Sequence, residues 1–332
     1  MTPSTAVPVF VVSVVVMLAA SALFAPGLDH IGLRLGLPET LLGLLTALAA
    51  DAPEISSAIA ALVQGQHAVA VGVVVGSNAF NLAAMLGLSA IVAGRVRARH
   101  EALELEAFVG LWLIAVTLAV AAGGLEATTG AWLVAAVALP YVVLLAVGPR
   151  IVRRLPLGAA RARFIHRSFG EAHRHARPLD SRRDAGRLVA VLLLALVLIV
   201  AGSVGAVRAA TDLADAWSVP EALVGVIVLA ILTSLPNAWT GVRFGLQQRG
   251  SALMSETVNS NSINIVAGLA IPAALGALAG FSGLAVFDLA WLFAMTAAAL
   301  VLFGMRDGGG RRAGAFLVLL YAVFLAVQIA RV

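Results

Sequence analysis

Apolar stretches long enough to cross a lipid bilayer follow one another along this chain almost without pause, and no other feature restricts its fold so tightly. A helix rises about 1.5 Å per residue, so about 20 apolar residues cross a hydrocarbon core. Candidate spans occupy residues 6–25, 40–64, 68–94, 105–122, 131–148, 187–207, 219–245, 252–278, 286–304 and 313–330. With 61% hydrophobic residues, 12% charged residues and a mean hydropathy of +1.01, an ordinary soluble domain is excluded. The expectation is an all-α integral membrane protein with ten transmembrane helices. Ala20-Ser21-Ala22 has the small residues of a signal-peptide cleavage site, but no basic residue precedes the apolar run, so the first span reads as a retained helix.

The chain has no cysteine, which rules out disulfides and thiolate metal sites. All 22 basic residues are arginine, and a pI near 11 invites a nucleic-acid reading. The positive-inside rule accounts for them first. With the N-terminus outside, the cytoplasmic loops and adjoining helix ends hold Arg34, Arg95, Arg97, Arg99, the run from Arg150 to Arg187, Arg243, Arg249, Arg306, Arg311 and Arg312. Only Arg208 and Arg331 fall outside. One helix more or fewer would scramble this partition, so the expected plan is ten spans in an inner (plasma) membrane with both termini outside.

The polar stretch 149–186 separates a first half, 1–148, from a second, 187–332, with five spans in each. An odd number of spans per half means that homologous halves lie upside down to each other. The sequence supports such a repeat. Pro53-Glu54 is followed by Ser77-Asn78-Ala79-Phe80-Asn81, and Pro236-Asn237 by Ser260-Asn261-Ser262-Ile263-Asn264, with proline and serine 24 residues apart in both. Leu37-Pro38-Glu39 is echoed by Val219-Pro220-Glu221, so the repeated segments are 37–81 and 219–264, with a one-residue gap before the inner proline. The linker reads as a solvated cytoplasmic loop touching anionic membrane lipids. His173 and His175 offer two zinc ligands but nothing nearby completes a tetrahedral site, and the loop lacks the interleaved aromatics of nucleic-acid binding.

Polar residues at mid-span are costly, about 2.5–3.5 kcal/mol per charge on insertion scales, and here they concentrate in four spans. The second has Asp51 and Glu54 around Pro53; the third has Ser77, Asn78 and Asn81. The seventh has Thr233, Ser234 and Asn237 around Pro236; the eighth has Glu256, Ser260, Asn261 and Asn264. Asp51 with Glu54 and Ser234 with Asn237 are three apart, and Ser77 with Asn81 and Ser260 with Asn264 four apart, so each pair shares a helix face. Each proline also frees a backbone carbonyl one turn earlier, near Ala49 and Leu232. Carboxylate, amide, hydroxyl and carbonyl oxygens together suit hard cations such as Ca2+, Na+ or Mg2+. The bland alternative is that Ser and Asn merely bridge packed helices.

These segments resemble the alpha repeats of the sodium/calcium exchanger family, which run roughly Gly-Thr-Ser-x-Pro-Glu and then Gly-Asn-x-x-Gly-Ser-Asn-x-x-Asn/Asp. Ala49 to Glu54 and Gly72 to Asn81 stand for the first repeat; Leu232 to Asn237 and Ser255 to Asn264 stand for the second. The resemblance implies a secondary antiporter that exposes a mid-membrane site alternately to either side. It also implies Glu54, Ser77, Asn81, Thr233, Ser234, Ser260 and Asn264 as cation ligands. The sequence departs from the pattern at four positions. Asn237 replaces a glutamate, Asn264 stands where aspartate is common, Asp51 replaces a serine and Glu256 an asparagine. The candidate ligands are therefore Asp51, Glu54, Ser77, Asn81, Thr233, Ser234, Asn237, Glu256, Ser260 and Asn264.

Two carboxylates about 5 Å apart repel by about 3 kcal/mol at an effective dielectric near 20, so one of Asp51 and Glu54 is expected to carry a proton in the empty state. Proton coupling is then as open as sodium coupling. The expected function is export of Ca2+ in exchange for Na+ or H+, without a resident cofactor and with small inorganic cations and lipids as partners. The alternative is an exchanger-fold protein that binds or senses cations without coupled transport. No Ser-Lys or Ser-His dyad and no paired catalytic aspartates occur in the spans, so an enzyme is not expected.

Overall fold

The computed structural model describes residues 1–34, 45, 47–97, 100–152, 182–276, 283–305 and 308–331. The Leu37–Gly43 part of the repeated segment, and the linker residues 153–181 with His166, His173 and His175, lie outside the described residues.

The described chain is mainly helical: α1 (Pro3–Arg34), α2 (Ala52–Val63), α3 (His67–Ala93), α4 (His100–Ala121), α5 (Ala127–Val152), α6 (Arg182–Trp217), α7 (Glu221–Thr233), α8 (Leu235–Leu246), α9 (Gly250–Ile265), α10 (Gly283–Gly304) and α11 (Arg311–Ala330). Among the described residues, seven helices are long and apolar enough to span a membrane, or eight if α7 and α8, bent by 48° at Ser234, form one span. Helix formation follows from the solvent, since in lipid every backbone N–H and C=O must find its partner within the chain. Most expected spans match these helices to within about four residues, but α2 begins at Ala52 within the expected 40–64, of which 40–44 and 46 lie outside the described residues, α9 ends at Ile265 within the expected 252–278, and α1 and α6 run on by several turns. At 32 and 36 residues they are about 48 and 54 Å long, more than a bilayer core about 30 Å thick accommodates without tilt.

α1 and α6 pack antiparallel. The Met1 ammonium meets Asp212 at 2.8 Å near one end, and Gly27 lies against Leu192 near the other. Between them Gly202 brings α6 onto the backbone of α1, where a Cβ would come within 2.7 Å of the Ser13 carbonyl. Small residues at such crossings allow the van der Waals contact that holds membrane helices together. The outer faces of this pair carry Val12, Val15, Leu193 and Val197, all more than half exposed, as lipid-facing side chains should be.

At the centre, α3 is buried along nearly its whole length, whereas α1, α5, α6 and α11 expose most of theirs. α3 crosses α7 at glycine. A Cβ on Gly76 would lie 2.6 Å from the Val226 carbonyl, and one on Gly72 2.9 Å from the Val226 nitrogen. Three segments adopt π-helical geometry: Leu82–Leu88 within α3, Val224–Leu229 within α7 and Val266–Ala270 after α9. Such segments interrupt the regular register and cluster at functional sites; nothing in the residue pattern announces them.

The loops entering α4 and α11 meet in a two-stranded antiparallel bridge, β1 (Arg95–Val96) with β2 (Gly309–Gly310), pairing Arg95 with Gly310 and Val96 with Gly309. Gly308 turns into it with φ of +70°, and a Cβ there would strike the Val96 carbonyl. The bridge puts the Arg95 and Arg311 loops at the same end of the helix bundle.

Candidate functional site

Two helix breaks build the site. Asp51, at φ −84° and ψ 0°, separates the helical turn 47–50 from α2, and Ser234, at φ −89° and ψ 2°, separates α7 from α8. In each case proline sits two residues on, at the first turn of the new helix, where its missing N–H is tolerated. The breaks turn Asp51, Glu54, Ser234 and Asn237 towards one another.

Asn237 is the bridge. Its Nδ2 donates to Asp51 Oδ1 at 2.8 Å and to Glu54 Oε1 at 3.1 Å, which brings the two carboxylates to a single nitrogen. Ser234 Oγ donates to Glu54 Oε1 at 3.0 Å, and Ser260 Oγ, from α9, donates to Asp51 Oδ1 at 2.6 Å. Asn81 Nδ2, from α3, donates to Ser260 Oγ at 3.3 Å and to Asn261 Oδ1 at 3.3 Å. Where α3 and α9 cross, the contacts are reciprocal. Asn78 Nδ2 donates to the Asn261 carbonyl at 3.0 Å and Asn261 Nδ2 to the Asn78 carbonyl at 3.1 Å, while Asn264 Nδ2 reaches Asn78 Oδ1 at 3.1 Å.

Asp51 and Glu54 are fully buried, and among the described residues no arginine or histidine forms an ion pair with either. Four buried oxygens accept no hydrogen bond: Asp51 Oδ2, Glu54 Oε2, Asn81 Oδ1 and Asn264 Oδ1. Burying acceptors without donors is costly. The donor set is all oxygen, with two carboxylates and otherwise neutral amides and hydroxyls, which fits a hard cation. Thermodynamically, two buried carboxylates with no positive partner favour either a bound cation or a bound proton.

Of the expected ligands, Asp51, Glu54, Ser234, Asn237, Ser260 and Asn81 form one connected network. Asn264 lies beside it through Asn78. Ser77 and Thr233 are buried at the site, but their hydroxyls donate to carbonyls of their own helices, at Val74 (3.0 Å) and Ala230 (3.3 Å), leaving only oxygen lone pairs to offer. Glu256 is partly buried one turn from Ser260, and its carboxylate lies within electrostatic reach of Asp51 and of Glu106 on α4, with no hydrogen bond into the central network. Asn78 and Asn261 were visible in the sequence as polar mid-span residues; their reciprocity was not. Glu106, at the edge of an expected span, carried no signal that separated it from a loop residue.

Bent and broken apolar helices around a buried network of carboxylates, amides and hydroxyls define a multi-pass membrane protein with a polar centre. The family model described as "Sodium/calcium exchanger protein" matches residues 5–147 and 187–330. The chain belongs to the sodium/calcium exchanger family. It is 27% identical over 244 residues to the inner membrane protein YrbG of Escherichia coli (strain K12), covering 72% of this chain and 70% of that protein. Its fold is similar to that of the sodium-calcium exchanger NCX_Mj soaked with Na+ and Sr2+, with a TM-score of 0.60 at 19% identity over 98% of this chain and 99% of the other. It is also similar to that of the H+/Ca2+ exchanger CAX, with a TM-score of 0.73 at 15% identity over 97% and 82%.

Proposed function

We propose that this protein is a secondary antiporter that carries Ca2+ across the inner membrane in exchange for Na+ or H+, binding the ions in turn at the Asp51 and Glu54 site. The observation that carries the reading is a set of four buried, unpartnered oxygens, two on the carboxylates of Asp51 and Glu54 and two on the amides of Asn81 and Asn264. A purely structural polar network would satisfy its acceptors internally, as buried polar groups do in most folded chains. Transport further requires that the site open to each side alternately, and the two helix breaks provide backbone that need not move as one rod.

The proposed architecture is ten transmembrane helices in two inverted five-helix repeats, with both termini outside. Three observations support it. The family model matches the two halves separately. The reciprocal asparagines Asn78 and Asn261 are 183 residues apart, and the same shift carries the bounds of α4 onto those of α10. Asp51 and Ser234, which break their helices with nearly the same φ and ψ, obey it as well. Such a repeat places two related half-sites face to face at mid-membrane, with Ser234 and Asn237 donating to the carboxylates of the other half.

The exchange partner is tested by 45Ca2+ uptake into proteoliposomes under an imposed Na+ gradient and, separately, an imposed pH gradient. Uptake driven by one gradient names the counter-ion. Binding of Ca2+ with no flux under either gradient would discard antiport and leave a cation-binding protein of exchanger fold.

A further inference from the structure

α9 carries polar side chains on two adjacent faces. Glu256, Ser260 and Asn264 step along one at intervals of four, towards the central site. Ser255 and Asn259 step along the other, towards α4 and α5. Ser255 Oγ donates to Glu106 Oε1 on α4, and Asn259 Nδ2 reaches Ser255 Oγ at 3.2 Å and Glu106 Oε1 at 3.5 Å. The Tyr141 hydroxyl, from α5, donates to Asn259 Oδ1 at 2.6 Å and so fixes which edge of that amide faces Glu106. Glu106 Oε2 is buried and accepts nothing.

The fold does not require this cluster. Shifting by the 183 residues that relate Asn78 to Asn261 takes Ser255, Asn259, Glu106 and Tyr141 to Gly72, Gly76, Leu289 and Phe324. All four of those residues are glycine or apolar. The nearby buried carboxylate of α10, Asp288, is held by Gln328 of α11, so among the described residues the Ser255 and Asn259 arrangement around Glu106 has no copy at the matched positions, and a carboxylate in a membrane span is costly. Its position is informative. Gly250, which opens α9, lies against the Arg97 backbone, and α4 begins just beyond it, so Glu106 and Ser255 sit one to two turns in from the end that bears Arg95 and Arg311. Ser260, which holds Asp51, lies about one turn deeper. Glu256 lies between Ser255 and Ser260 along α9, one turn before Ser260 on the same face.

We propose that Glu106, Glu256 and Ser255 form an accessory station for the transported divalent cation, between the central site and the arginine-bearing end, with Asn259 and Tyr141 positioning the Glu106 carboxylate. This rests on the antiport reading. A cation leaving Asp51 meets Glu256 next and then the free Oε2 of Glu106, so two carboxylates and a hydroxyl take over from the central oxygens in succession. At the positions that match Glu106 and Tyr141 the other half carries Leu289 and Phe324.

The test is equilibrium binding of 45Ca2+ to the full-length purified protein. Wild type is expected to bind in two classes. Glu106→Gln, which keeps the side chain's size and its acceptor for Ser255, should weaken one class by about tenfold or more, in line with loss of a charged ligand, and leave the other unchanged. Ser255→Ala should weaken the same class less, and Glu54→Gln should remove the other. Binding unchanged in both Glu106→Gln and Ser255→Ala, or a single class abolished by Glu54→Gln, would overturn the station. Two binding classes without flux would instead retain the station and discard antiport.

Discussion

Glu54→Gln is expected to reduce the proposed Ca2+ uptake by about 100-fold or more while leaving the protein folded. The substitution keeps the volume and an oxygen for Ser234, but it removes one of two charges and turns an N–H towards a region that already holds the Nδ2 of Asn237. A charged ligand contributes about 1.5–3 kcal/mol, and about 2.7 kcal/mol corresponds to about 100-fold in affinity. Folding has little to lose, because Glu54 forms no ion pair among the described residues and its Oε2 has no donor. Thermal unfolding in detergent without Ca2+ should therefore be unchanged or slightly raised, while the stabilisation that added Ca2+ gives the wild type disappears. Uptake within about twofold of wild type in a well-folded Glu54→Gln protein would remove this carboxylate from the site. Asp51→Asn is expected to behave alike, since Asp51 anchors Ser260 and Asn237 in the same way.

Gly76→Ala is expected to cost the protein about 2–3 kcal/mol and most of the proposed transport, although position 76 is not among the candidate ligands. The added methyl would lie 2.6 Å from the Val226 carbonyl, 2.8 Å from the Ala230 Cβ and 2.9 Å from the Val226 Cα. Two of these atoms are backbone, so α3 and α7 must separate, and overpacking of this kind costs about 1–3 kcal/mol. The separation acts directly on the site, because α3 carries Asn78 and Asn81 while α7 ends at Thr233 and Ser234. Gly304→Ala is the control, as a Cβ there meets nothing within 4 Å and alanine favours helix. Equal melting temperatures for the two variants would mean that the helices do not meet at Gly76.

The sequence made the two prolines, the carboxylates and the Ser-Asn pairs legible because a polar group in an apolar span needs a reason, and helical spacing gives its face. The central network of Asp51, Glu54, Ser234, Asn237 and Ser260 was readable on those grounds. What spacing could not give was direction. Ser77 and Thr233 turn their donors onto their own helices, an option that serine and threonine always have in a helix and that residue type does not reveal. Asn237, the glutamate-to-asparagine departure, proves to be the donor that gathers both carboxylates, a role a glutamate fills only when protonated. Glu106 and Asn259 escaped notice because each is unremarkable in its own segment and acquires meaning only when α4 meets α9. The π-helical segments escaped for a related reason, since their geometry follows from packing rather than local propensity.

The separation of the two carboxylates from their donors along the chain sets an order of events in synthesis. Ser234 lies 180 residues after Glu54, and Ser260 lies 209 after Asp51. At about 5–20 residues per second, the ribosome needs about 10–40 s to deliver the later residues after the earlier ones. During that interval the nascent first half holds Asp51 and Glu54 in the membrane with none of the side chains that later receive them. The site thus cannot close until α9 has been made, with α10 and α11 still to follow.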